Sequence, residues 1–132
     1  MSQHFAKQTQ SGLILNIIDQ RVWNLTPHYL TYSISKFGLW GLTQTMALSL
    51  APNIRVNAIG PGPTLKNDTQ TEEQFQEQCH NTPLHRGGSL KDICDAAQFL
   101  WNADTVTGQM IAVDGGQHLG WATPKDLKER DD

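Results

Sequence analysis

Residues 53–64 read NIRVNAIGPGPT. Ile54, Val56, Ala58 and Ile59 give the segment the apolar content of a strand, and Gly60-Pro61-Gly62-Pro63 breaks it sharply. Upstream, GLILNII at 12–18 follows a Ser-Gly turn signal and reads as a strand buried on both faces, as in a parallel sheet. Downstream, QMIAVDGG at 109–116 is a third short strand ending in a glycine pair. A helix is expected from near Thr31 to about Leu50, stopped by Pro52. A polar helix opens at Thr71-Glu72-Glu73 and runs to about Cys79. After the loop NTPLHRGGS, Ser89 caps a further helix, with Asp92 in its first turn and Ile93, Ala96, Ala97 and Leu100 facing inward. Both crossovers are long enough to hold a helix, which predicts parallel pairing and an α/β fold. The expected strand order is 13–18, 54–59, 110–113, with the Tyr32 helix on one face and the Ser89 helix on the other.

The chain has 132 residues and a net charge near −3, which bounds it to one modest core. No basic block points to nucleic acid or to an anionic membrane surface. The apolar runs are too short to span a bilayer, and MSQHFAKQTQSG lacks the pattern of a signal peptide. Cys79 and Cys94 have no metal spacing and read as free thiols in a reducing compartment, so a cytoplasmic protein is expected. The histidines at 4, 28, 80, 85 and 118 do not pair at ligand spacing, so no metal site is expected. Three parallel strands are few, since such a sheet needs both faces covered and its edges protected. The chain therefore reads as part of a larger sheet.

LTYSISKFGL at 30–39 sets Tyr32 and Lys36 four residues apart. By spacing alone they are either a catalytic acid with its electrostatic partner or two residues sharing a helix face. Their surroundings add weight. Asp19 follows the carboxyl end of the first strand, and the Gly60–Gly62 turn follows that of the second. In open α/β sheets ligands bind beyond those ends.

The ordered set GLILNIID, YSISK, IRVNAIGPGPT, PLHRGGSLKDICDAAQFL and VTGQMIAVDGG, with Tyr32 thirteen residues after Asp19, resembles the short-chain dehydrogenase/reductase family from Gly12 to Gly116. The resemblance implies a partial doubly wound (Rossmann-like) parallel sheet of about three strands with flanking helices. Residues 1–122 would be the carboxyl-terminal half of such a domain, and 123–132 a charged, fraying tail. It further implies an NAD(P)-dependent oxidoreductase using NADPH or NADH. Tyr32 would be the proton donor, and Lys36 would lower its pKa toward neutrality and bond the nicotinamide ribose. Pro61, Gly62, Pro63 and Thr64 would approach the nicotinamide, Gly62 by letting backbone come close. The family's usual serine is replaced by Asp19. Pteridine reductases of the family carry Asp there, so Asp19 either relays a proton to a pterin nitrogen or is a loop residue left in an eroded site. The small-molecule substrate would be a pterin or a carbonyl compound.

The family's first-half features are not in these residues: the glycine-rich dinucleotide turn, the residue that selects the adenosine, the N-N-A-G segment and a catalytic Asn. SQHFAKQ resembles the end of the helix preceding the serine-bearing strand, so the chain is expected to begin inside the fold and to be nearly inactive alone. A decayed gene product, a piece of a longer protein and a second chain supplying the first half are all open. Tyr32, Lys36 and Asn57 speak for catalysis; a non-catalytic remnant serving only as an oligomerisation module is the alternative. Two apolar stripes on the Thr31–Leu50 helix predict a homo-oligomer, with Phe37 and Trp40 at the contact. Trp23 could line a flat-ring pocket or simply pack. Arg21 could contact substrate or be a solvated loop charge, Trp101 and Trp121 read as packing or interface residues, Met46 and Met110 as core, and Arg86 with Gly87-Gly88 as a structural turn. His118 could reach a neighbouring subunit's pocket.

Overall fold

The computed structural model describes residues 11–120. The SQHFAKQ helix end, Trp121 and the tail at 123–132 lie outside the described residues. Three strands, β1 (Gly12–Ile17), β2 (Ile54–Pro61) and β3 (Met110–Val113), form one parallel sheet in the order β1-β2-β3. Ile14 lies opposite Val56 and Asn16 opposite Ala58, while Ala58 lies opposite Met110. The helices are α1 (Leu30–Ser49), α2 (Glu72–His80) and α3 (Leu90–Asn102). No helix among the described residues is long and apolar enough to cross a membrane.

The alternation of β2 divides the molecule. Its even positions Ile54, Val56 and Ala58 are buried in two clusters, one with Ala47, Leu50 and Met46 and the other with Ile18, Val22, Met110, Leu39 and Trp40, which places α1 on that face. Its odd positions face α3. The Arg55 guanidinium donates to the Leu100 and Trp101 carbonyls at 2.8 and 3.0 Å and to Val106 O at 3.3 Å, holding the otherwise unsatisfied end of α3. Ile59 and Leu100 on that side are fully buried.

Several expectations are corrected. β2 continues through Gly60 and Pro61, so the Gly-Pro break falls later than the composition suggested. β1 is half-buried rather than buried on both faces, because α3 packs on β2 and β3 and leaves Ile17 about half exposed. Gln20–Val22 form a 3-10 turn capped by the Asp19 side chain, in the segment where Arg21 was expected on a loop. Trp40 is partly buried and packs against the cluster of Ile18, Val22, Ala58 and Met110. The exposed apolar residues of α1 include Leu30, Ile34, Phe37, Leu42 and Leu48, among which Phe37 was the expected contact residue. Asn57 is fully buried, donates to Val106 O at 2.8 Å and accepts from Gln109 N at 3.0 Å, so it ties the loop before β3 to β2 and does no chemistry. Both α2 and α3 begin with reciprocal capping boxes, Thr71 with Gln74 and Ser89 with Asp92.

Asn57→Ala strips Gln109 N of its acceptor, leaves Val106 O with only the 3.3 Å donor from Arg55, and empties a fully buried polar position. It is expected to lower unfolding stability by about 2 kcal/mol, read as a lower urea midpoint at unchanged slope.

Candidate active site

Parallel pairing brings the carboxyl ends of all three strands to one rim. Ile18 N still donates to Ile59 O at 2.8 Å, so the sheet holds the chain to the residue before Asp19. Asp19 then caps the 3-10 turn, its Oδ1 accepting from Arg21 N at 2.8 Å. The other oxygen, Oδ2, accepts the Tyr32 hydroxyl at 2.8 Å. Tyr32 stands in the first turn of α1, after Tyr29 in the left-handed region with φ 57°. Lys36 is one turn further; its Nζ donates to Ile17 O at 3.2 Å and lies 5.6 Å from the centre of the Tyr32 ring. The Asp19–Tyr32–Lys36 grouping expected from the sequence is thus assembled on one rim.

A cavity of about 270 Å³ opens there, bordered by Asp19, Tyr32 and the Pro61–Pro63 turn. Lys36 and Thr64 do not form its walls. Gly62 has a packing constraint of its own. A Cβ there would lie 2.5 Å from the Cβ of Asp114, so the glycine lets the turn pack on the end of β3. Gly87 is constrained in the same way, since a Cβ on it would meet Pro63 O at 2.1 Å. Arg86, Gly87 and Gly88 therefore act structurally, with Arg86 O accepting from Thr82 Oγ1 at 2.9 Å. A second cavity of about 420 Å³, beside Arg55, Trp101 and Pro52, lies at the amino ends of the strands, away from Tyr32.

The electrostatics reverse one expectation. Lys36 was expected to lower the Tyr32 pKa, yet the phenol is pushed up to about 12 from the ordinary 10.0. Partial burial is the largest cause, followed by the hydrogen bond to Asp19 and its negative charge, with Arg21 opposing. A carboxylate that accepts the phenolic proton outweighs an ammonium whose own hydrogen bond goes to Ile17 O. Tyr32 is neutral and protonated at pH 7.

The surrounding residues sort by contact. Trp23 packs edge-on against Trp40 at 6.0 Å and against His118 at 5.5 Å, away from the cavity. The Arg21 guanidinium sits 5.1 Å from the Tyr29 ring centre. His118 Nδ1 is 2.8 Å from Oδ2 of the buried Asp114, a contact within its own turn. Trp101 is exposed and contributes only its carbonyl to the Arg55 clamp. Sequence reasoning missed the amides around the cavity, Gln20, Asn67, Gln70, Gln78 and Gln117. The one available signal was position, Gln20 beside Asp19 and Gln117 just after the glycine pair.

The family model described as "Enoyl-(Acyl carrier protein) reductase" matches residues 1–118. A dihydromonapterin reductase of Citrobacter koseri is 32% identical over 106 residues, 80% of this chain and 44% of that protein. Glucose 1-dehydrogenase 2 of Bacillus subtilis is 38% identical over 122 residues, 88% of this chain and 47% of that protein. The crystal structure of FolM alternative dihydrofolate reductase 1 from Brucella suis in complex with NADP superposes with a TM-score of 0.84 at 51% identity, covering 88% of this chain and 47% of that one. The chain spans about half the length of the curated relatives it matches.

The Tyr32 assignment has a pH signature. A raised folded pKa means that the stability tied to this proton is complete below pH 10 and is lost as the pH climbs toward 12. In a Tyr29→Phe background, tyrosinate absorbance should titrate near 12. Asp19→Asn should bring that midpoint down toward 10; an unmoved midpoint removes Asp19 as a cause.

Proposed function

The chain belongs to the short-chain dehydrogenase/reductase family, and from that premise we propose that it forms the tyrosine-bearing part of a cytoplasmic, NAD(P)-dependent oxidoreductase that reduces a pterin. Residues 1–122 correspond, in this reading, to the carboxyl-terminal half of the domain. The observation that carries it is the 2.8 Å hydrogen bond from Tyr32 to Asp19. A serine at that place offers a neutral donor suited to a carbonyl oxygen. A carboxylate offers a base that can accept a proton from Tyr32 or hold one for a ring nitrogen. Relatives named for dihydromonapterin and dihydrofolate support the pterin choice; a glucose dehydrogenase among the matches keeps carbonyl and alcohol chemistry as the competing outcome.

The residues fit the nicotinamide end of a cofactor. Lys36 uses one N–H on Ile17 O and keeps two for ribose hydroxyls, beside the turn after β2. The described residues do not fit the pyrophosphate end. Gly87-Gly88 precede α3, but Gly87 is pressed on Pro63 O and the Ser89 and Asp92 side chains occupy the start of that helix. When bound, NADPH or NADH supplies a hydride to the carbon of a C=N bond. Tyr32 holds the proton destined for the nitrogen of that bond. The entering nitrogen takes the place of Asp19 as the partner of the Tyr32 hydroxyl, and Asp19, still fixed by Arg21 N, stands beside it to move the next proton. The Lys36 ammonium offsets the negative charge left on the phenolate.

Self-association is part of the same reading. Ile34, Phe37 and Leu48 are exposed on α1, and a Cβ on Gly38 or Gly41 meets nothing within 4 Å, so the row is apolar and can be approached closely. A second copy of the chain is the occupant proposed for it.

Three measurements test these proposals. The 132-residue chain should bind NADPH only weakly by calorimetry, and micromolar affinity would overturn the view that its phosphate cradle is missing. When it is joined to the glycine-turn half of a matching relative, Tyr32→Phe should abolish pterin reduction and Lys36→Ala should cost nearly as much. Asp19→Asn should cost about 10²-fold. Asp19→Ser should shift preference toward carbonyl substrates; if both Asp19 variants reduce pterins like the parent, the pterin assignment fails. In sedimentation the parent should run as an oligomer and the Ile34→Glu, Phe37→Glu double variant as a monomer, whereas a monomeric parent removes the α1 contact.

A further inference from the structure

We propose that Gln20 and Gln117 determine substrate specificity in this cleft by reading a ring edge that carries a hydrogen-bond donor next to an acceptor. The proposal rests on the pterin reading and goes beyond it by naming the groups that tell such a ring from a simple carbonyl compound.

Three of the five amides around the cavity already make side-chain hydrogen bonds. Gln70 Nε2 donates to Gln78 Oε1 at 2.9 Å, so each of these side chains is held by the other. Asn67 Oδ1 accepts from both the backbone N–H and the hydroxyl of Thr69 at 3.1 and 3.0 Å. Two amides on the cavity wall, Gln20 and Gln117, make no side-chain hydrogen bond among the described residues, and they stand on turns from opposite ends of the described chain.

Gln20 follows Asp19 in the 3-10 turn and is 3% exposed. Its Oε1 is buried and has no hydrogen-bond partner among the described residues. Burying an amide acceptor unpaired is unfavourable, and such groups are rare in folded proteins unless another role retains them. Gln20 borders the cleft that contains Tyr32, beside the proton-transfer pair, and an N–H on a bound ring would give its Oε1 a partner.

Gln117 enters from the turn after β3, and its backbone is held from two sides. Its N–H donates to Asp114 O at 3.1 Å, and its carbonyl accepts from Asn24 Nδ2 at 3.0 Å. Asp114 also grips the N–H groups of Gly116 and His118 at 3.0 and 2.7 Å. The side chain is left without a hydrogen bond among the described residues. Its Oε1 lies 3.2 Å from where a Cβ on Gly62 would stand, which sets the amide over the turn that floors the cleft. An amide placed on a doubly anchored backbone is organised before a ligand arrives. Each side chain presents one acceptor and two donors, so together they match a lactam or amidine edge. A substrate with a single carbonyl oxygen is served by Tyr32 alone and has no use for them.

The test uses the full 132-residue chain, with 7,8-dihydropterin and glucose as probes. The side-chain amide signals of Gln20 and Gln117 are followed by NMR, and Gln20→Met and Gln117→Met are compared with the parent. The expected result is that dihydropterin shifts both amide signals, that each variant weakens dihydropterin binding about tenfold, the scale of one net hydrogen bond, and that Gln20→Met unfolds at the parent's temperature or above. If dihydropterin binds the parent and both variants equally, the specificity proposal falls while the pterin reading stands. If Gln20→Met lowers the melting temperature and leaves binding unchanged, Gln20 belongs to the fold and the proposal falls. If glucose binds and dihydropterin does not, the pterin reading falls and takes this inference with it; if neither binds, the two amides read no ring in this chain and the specificity proposal falls alone.

Discussion

The structure depends on burying β2 in the middle of a parallel sheet. Val56, Ala58 and Ile59 are fully buried, which requires a strand on each side and a helix on each face. Parallel pairing then has a consequence for chemistry. All three strands end at the same rim, so Asp19 after β1, the Pro61–Thr64 turn of β2 and the Asp114 turn after β3 become neighbours although nearly a hundred residues separate the first from the last. Two glycines set how closely those turns meet, Gly62 against Asp114 and Gly87 against the Pro63 carbonyl.

At that rim the exchange of a small hydroxyl for a carboxylate changes what the neighbouring tyrosine is. Tyr32 is pushed up to about 12, through burial and through Asp19, and so enters any reaction as a neutral phenol. A phenol bonded to a carboxylate is a poor base and a guarded acid: it gives up its proton when a better-placed acceptor displaces Asp19. The pair therefore suits proton delivery during reduction better than proton removal during oxidation. Lys36 contributes at 5.6 Å, a distance at which its charge steadies a phenolate already formed more than it promotes one.

The sheet order, the crossovers and the last helix were legible because each rests on a local signal: apolar runs for the strands, Ser89 with Asp92 for the start of α3, Pro52 for the end of α1. What was not legible depended on surroundings. Whether β1 is buried on both faces depends on where α3 lies. Which apolar residues of α1 turn inward could not be read from a helix that is apolar on two sides, so Trp40 was placed outside while it packs on Ala58 and Met110. At the site, Tyr32, Lys36 and Asp19 were visible through spacing, but the sign of the Tyr32 shift required knowing which charge its hydroxyl meets. Gln20 and Gln117 carry no spacing signature, since a glutamine becomes informative only once its hydrogen-bond partners, or the lack of them, can be counted.

The two ends of the sheet can now be given different duties. At the amino ends, the 420 Å³ cavity beside Arg55 has a cation on its wall and could be mistaken for an anion site. Yet that guanidinium is spent on the Leu100, Trp101 and Val106 carbonyls, where it closes the end of α3 and ties the following loop to β2. An arginine whose donors are taken up by backbone carbonyls has little left for a phosphate. At the carboxyl ends the bookkeeping is reversed: the Gln20 carbonyl is unpartnered, the Tyr32 proton is held by a base that a ligand can displace, and the Lys36 ammonium has donors to spare. Satisfied polar groups at one end make the fold, and unsatisfied or exchangeable ones at the other are what a substrate can use.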